Sequence, residues 1–71
     1  MPHITVTIAQ GKCKDKESLA NKIHDLVESE MQTNGDNISV SVREVPKETW
    51  MSFIKTVPSD EMVVKPKYKI E

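Results

Sequence analysis

The residues that could do chemistry in this chain are few, and their order along the sequence is informative. Pro2 follows Met1 at the head of an alternating run, "PHITVTIA", and Gly11-Lys12 comes just after that run. Ser39 and Arg43 fall in a second alternating run, and Trp50 lies soon after it. A proline cannot donate a ladder hydrogen bond, so a strand tolerates it at an edge, a bulge or its first residue. Pro2 is therefore harmless where it stands, and position alone does not say what it is for. His3 and His24 are the only histidines and Cys13 the only cysteine. No internal disulfide can form and no Cys/His pair has zinc-site spacing, so neither metal nor cofactor is expected. Cys13, between Lys12 and Lys14, has no partner base in the sequence and is not read as a nucleophile.

These residues are carried by three elements with clear periodicity. In the first run, Ile4, Val6 and Ile8 fall on one face and His3, Thr5 and Thr7 on the other, the pattern of a half-buried strand over Pro2 to Ala9. Asp15 is a plausible N-cap, with Glu17 in the first turn, where it favours the helix dipole. Leu19, Ile23, Leu26, Val27 and Met31 then recur at helical spacing, and Asn34-Gly35 supplies a stop signal. The helix is expected over Asp15 to Thr33. In "NISVSVREV", Ile38, Val40 and Val42 alternate with Ser39, Ser41 and Arg43, which gives a second strand. Two strands joined by one helix of matching length make a β-α-β unit with parallel strands and a right-handed crossover. The fold class is α/β. Pro46 suits the start of a short helix or turn carrying Trp50, Phe53, Ile54 and Val57. The lysine-rich tail is expected to add an edge strand, to its own sheet or across to a partner subunit.

Composition narrows the function classes. The chain has 71 residues with a net charge of −1, which makes one small domain over 1–71 and no general polyanion binder. "KPKYK" near the C-terminus is read as a solvated tail and not as a nucleic-acid patch. No apolar run approaches a membrane span, no signal-peptide pattern leads the chain, and the lone thiol fits a reducing compartment. A cytoplasmic protein is expected, with no membrane and no nucleic acid among its partners. Below roughly 70–80 residues a single core seldom supplies more than a few kcal/mol, so self-association is the expected support. Two copies joined edge to edge would give a four-stranded sheet and remove an open strand edge.

The conjunction of Met1-Pro2, a β-α-β unit, Gly11-Lys12 and Trp50 resembles the 4-oxalocrotonate tautomerase family, whose fold is the β-α-β tautomerase (MIF-like) fold. The tail, with Pro66 and Tyr68, is closer to its dimeric PptA-like subgroup. The resemblance implies removal of Met1 and an isomerase in which the freed Pro2 nitrogen is the general base. That base would interconvert enol and keto forms of a small keto acid. Lys12 and Trp50 would then be the cationic and apolar agents that keep the amine unprotonated.

The rest of the site is implied residue by residue. Lys12 falls where the type enzyme holds a carboxylate with arginine, and it keeps the charge without the bidentate fork. Ser39 falls where a second arginine polarises the carbonyl, a role serine cannot fill with charge. Arg43 shares its face and is the expected substitute if a partner subunit turns it inward. Trp50 falls on the aromatic position that shields the base. His3 reads as a surface residue, with hydrogen bonding to substrate as the alternative. With one arginine replaced by lysine and the other by serine, a phenylpyruvate-like enol acid suits the pocket better than a dicarboxylate. A homodimer is expected, with the hexamer of the type enzyme as the larger alternative. The rival readings are a non-catalytic small-molecule binding dimer of the same fold and a promiscuous hydratase or dehalogenase.

Overall fold

The computed structural model describes residues 1–70. Strand β1 spans His3–Ala9 and strand β2 spans Ser39–Val45. They pair in parallel, from His3 opposite Ser39 to Ala9 opposite Val45. Helix α1, Lys16–Met31, connects them, and a 3-10 turn at Gly35–Asn37 leads into β2. A second 3-10 turn at Lys47–Thr49 leads into helix α2, Trp50–Lys55. The expected β-α-β unit with its parallel pair is present.

Local chemistry sets the boundaries. Pro2 stands just outside β1, yet its carbonyl accepts the Ser39 N–H at 3.2 Å, so it heads the ladder as an acceptor. Gly11 has φ 82°, a left-handed conformation that glycine adopts without a Cβ penalty, and Lys12 N–H closes that turn on the Ala9 carbonyl. Asp15 caps α1 as expected, its Oδ1 accepting the Ser18 N–H at 2.9 Å. The helix ends earlier than its stop signal predicts: Gln32 takes the left-handed cap with φ 52°. Asn34 instead caps the following 3-10 turn, its Oδ1 accepting from Asp36 N–H. Pro46 precedes the second 3-10 turn, as its fixed φ favours.

The register decides which side chains share a face. Ile4 lies beside Val40 and Val6 beside Val42 on the helix side, but Ile8 lies beside Glu44. That carboxylate pairs with Lys16 at the start of α1 and accepts the Gly11 N–H at 3.1 Å. Glu44 therefore ties the C-terminal end of the sheet to the helix start. The Lys16 ammonium and then the Gly11 N–H hold its carboxyl below the ordinary carboxylate value.

The interior is thin. Ile38, Val45 and Ile54 are the buried hydrophobic residues among those described. Helix α1 packs mainly on β2, and its stripe is only partly used: Leu26 and Met31 remain 60% exposed. The expected edge strand in the tail does not form among the described residues. That segment runs through turns such as Glu61 N–H to the Pro58 carbonyl, and leaves Val63 90% and Val64 87% exposed. The radius of gyration is 13.7 Å, against about 11 Å for a compact domain of this length. Among the described residues, no helix is long and apolar enough to cross a membrane.

Candidate active site

The head of β1 departs from the expected chemistry. Met1 is present and 98% exposed, and its carbonyl carbon is bonded to the Pro2 nitrogen. That nitrogen is a tertiary amide, its lone pair delocalised into the Met1 carbonyl, and it has no basicity to offer. The expected N-terminal proline base is corrected for the structure described: with Met1 attached, Pro2 offers no free amine and serves as a ladder acceptor.

Beside Pro2, four polar side chains from the two strand heads form a continuous chain on the open face of the sheet. His3 Nδ1 lies 2.6 Å from Ser39 Oγ and His3 Nε2 lies 3.2 Å from Ser41 Oγ. Ser41 Oγ donates in turn to Thr5 Oγ1 at 3.3 Å. These bonds have one consistent polarity. A Ser41 hydroxyl that donates to Thr5 accepts from Nε2–H, which leaves Nδ1 to accept from the Ser39 hydroxyl. His3, which read as a surface residue from sequence, is held by both ring nitrogens. All four residues are exposed, so the chain is open to a ligand.

The remaining site residues lie toward the other ends of the strands. Arg43 is exposed and faces Thr7, four positions along β2 from Ser39, roughly 13 Å. Lys12 is exposed in the turn beyond Ala9, past the seven-residue length of β1, roughly 20 Å from its head. Trp50 opens α2 half-buried. Its indole N–H donates to the Tyr68 hydroxyl at 3.3 Å and its ring lies 5.5 Å from Phe53 at a 46° tilt. One chain thus brings Pro2, His3 and Ser39 together and leaves Lys12 and Arg43 toward the opposite end.

A family model described as "Tautomerase enzyme" matches residues 2–70. The chain belongs to the tautomerase family. Family membership makes it an enzyme of the isomerase type, in agreement with the reading from sequence, and the β-α-β fold is consistent with it. A comparison of this tautomerase with curated proteins returns no match.

Behind the strand heads, the tautomerase fixes the approach to β2 with a clamp on Gly35. His24 Nε2 donates to the Gly35 carbonyl at 2.8 Å, and Glu28 Oε2 accepts the Gly35 N–H at 2.8 Å. His24 Nδ1 meets Asp25 Oδ1 at 3.1 Å. The Gly35 carbonyl and then the Asp25 carboxylate hold the His24 pKa above its ordinary value. His24, Asp25 and Glu28 offer ligand atoms within 4.8 Å of one another, but His24 and Glu28 are occupied by the backbone of Gly35. The Gly35 carbonyl also accepts the Ile38 N–H at 3.1 Å, so the clamp sets the residue before Ser39.

Proposed function

We propose that this tautomerase moves a proton within a small enolisable carboxylic acid, bound where two copies of the chain meet. The match to the tautomerase family over residues 2–70 carries the reading. The division of the candidate residues between the two ends of the sheet supports the second half. Pairing two identical edge strands about a two-fold axis sets the head of one strand beside the tail of the other. Lys12 and Arg43 of one copy then stand near Ser39 of its partner. The ammonium of Lys12 holds the substrate carboxylate as a point charge, Arg43 adds a second cation, and Ser39 hydrogen-bonds the substrate oxygen. Trp50 supplies an apolar wall.

A dimer with a four-stranded sheet would also relieve the poverty of the single chain, whose core is thin and whose strand edges are open. The open sheet face carries the exposed side chains of His3, Thr5, Ser39, Ser41 and Arg43, which gives stacking of dimers into a hexamer little hydrophobic gain. Pro66, and Tyr68 bonded to Trp50, support reading the chain as one of the dimeric PptA-like members of the family.

The test is ketonisation of an aryl enol-pyruvate, followed by loss of its ultraviolet absorbance, with sedimentation at the same concentration. Lys12→Ala is expected to raise KM by about tenfold with little change in kcat, the signature of uniform binding. A rate no faster than buffer, or a monomer at assay concentration, defeats the proposal.

A further inference from the structure

Resting on that reading, we propose that Tyr68 is a positioning residue of this tautomerase. It straps the C-terminal tail to α2 and fixes the Trp50 indole as the apolar wall of the pocket. Residues 58–70 form neither helix nor strand. Their backbone hydrogen bonds stay within short turns, such as Met62 N–H to the Ser59 carbonyl. Among the described residues, a single hydrogen bond ties that segment to the rest of the chain. It runs from the Trp50 indole N–H to the Tyr68 hydroxyl, at 3.3 Å. The polar anchor of the tail therefore falls on the side chain that the proposed pocket uses.

The sequence makes the meeting specific. The chain has one tryptophan, one phenylalanine and one tyrosine, and all three gather at this place. Phe53 tilts against the indole ring with centroids 5.5 Å apart, and the Tyr68 hydroxyl takes the indole's only polar atom. An indole has one N–H and no acceptor, so a half-buried tryptophan seeks an oxygen for it. The approach on both sides of Tyr68 is also held. Pro66 is half-buried and fixes φ in the turn that leads to Tyr68. Ile70, just beyond it, lines one cleft with Ile54, Val57 and Met62 at the end of α2. The strap thus has an apolar foot beside its polar one. Without the hydroxyl the indole is free to turn about its side-chain torsions. With it, the ring meets an aryl group already ordered, and binding is spared that entropy.

The experiment uses the full chain, with the aryl enol-pyruvate and an aliphatic enol acid of the same charge as probes. Trp50 is the sole tryptophan, so intrinsic emission reports on it alone, with or without turnover. Tyr68→Phe removes the hydroxyl and keeps the ring. Acrylamide quenching of Trp50 is expected to rise. KM for the aryl probe should rise about two- to tenfold, the worth of one neutral hydrogen bond, with kcat little changed. KM for the aliphatic probe should stay at the parental value, which a general loss of structure would not produce. Tyr68→Ala should raise the aryl KM further, and circular dichroism checks that each variant is folded. Unchanged quenching in Tyr68→Phe overturns this proposal and leaves the tautomerase reading standing. So does a rise in quenching with KM equally raised for both probes, or raised for neither. A wild type that turns over neither probe overturns both.

Discussion

Replacing Gly35 with alanine tests the clamp that holds the approach to β2. The backbone there is not left-handed, because Gly11 is the glycine with positive φ. By the usual rule, alanine at such a position stabilises by about 0.4–1 kcal/mol, through the unfolded chain. The structure gives the opposite sign. A Cβ at position 35 would stand 2.5 Å from Glu28 Oε2 and 3.0 Å from both Glu28 Cδ and His24 Cε1. Glu28 must swing away, and the Gly35 N–H loses its carboxylate acceptor. A hydrogen bond to a charged group is worth about 1.5–3 kcal/mol, and solvent exposure here argues for the lower end. Setting the entropy gain against that loss leaves a net destabilisation of about 1 kcal/mol, or a melting temperature lower by about 4–8 °C. Thermal unfolding at fixed protein concentration, followed by circular dichroism, measures it. In a Glu28→Ala background the same substitution should cost less, since the Glu28 clash and its bond are already gone and only the tight approach of His24 Cε1 remains. An unchanged or raised melting temperature for Gly35→Ala in the parent chain refutes the clamp.

The two shifted groups bracket the pH range of highest stability. The raised His24 pKa contributes stability that is complete below the ordinary value of 6.5 and lost as pH rises through the raised folded value. The lowered Glu44 pKa contributes stability present above the ordinary value of 4.5 and lost as pH falls through the lowered folded value. Melting temperature against pH should therefore fall on both sides, with His24→Gln removing the alkaline slope and Lys16→Ala weakening the acid one. Ile54→Ala, cut from one of three buried hydrophobic positions among the described residues, should cost about 2–3 kcal/mol in denaturant titration, whereas Val63→Ala should change stability by less than about 0.5 kcal/mol. Gln32→Gly removes a left-handed side-chain penalty of about 1–2 kcal/mol at φ 52° and restores roughly 0.5–1 kcal/mol of backbone entropy cost. Its melting temperature should rise by a few degrees.

The elements were legible because each has a strong period. Alternation gave the first strand to within a residue and the second to within two, and Asp15 with Glu17 gave the helix start. The helix end was misread because Asn34-Gly35 is the better left-handed pair, yet Gln32 adopts that conformation and the pair serves the next turn. Register was not legible: alternation fixes which face a side chain takes, not its partner across the ladder. That offset is what sets His3 against Ser39 and Glu44 beside Ile8, so the hydrogen-bonded chain at the strand heads was invisible from sequence. Its members were all on the polar face, and a serine two residues from a serine opposite "HIT" was the available signal. Pro2 was misassigned for a chemical reason, since its proposed role needs a free amine and the chain holds an amide. The tail showed β-branched residues without a partner strand, and composition alone does not make an edge.

The placement of Ser39 and Lys12 toward opposite ends of the sheet has a consequence for mixtures of variants. In a dimer built as proposed, each pocket draws its serine from one copy and its lysine from the other. Combine Ser39→Ala with Lys12→Ala in equal parts and let subunits exchange: every hybrid carries one pocket with both lesions and one with neither. About a quarter of the pockets are then intact, so two crippled preparations together should recover about that share of parental turnover at low substrate. Such mutual rescue between two failed halves cannot arise from a pocket housed within a single chain.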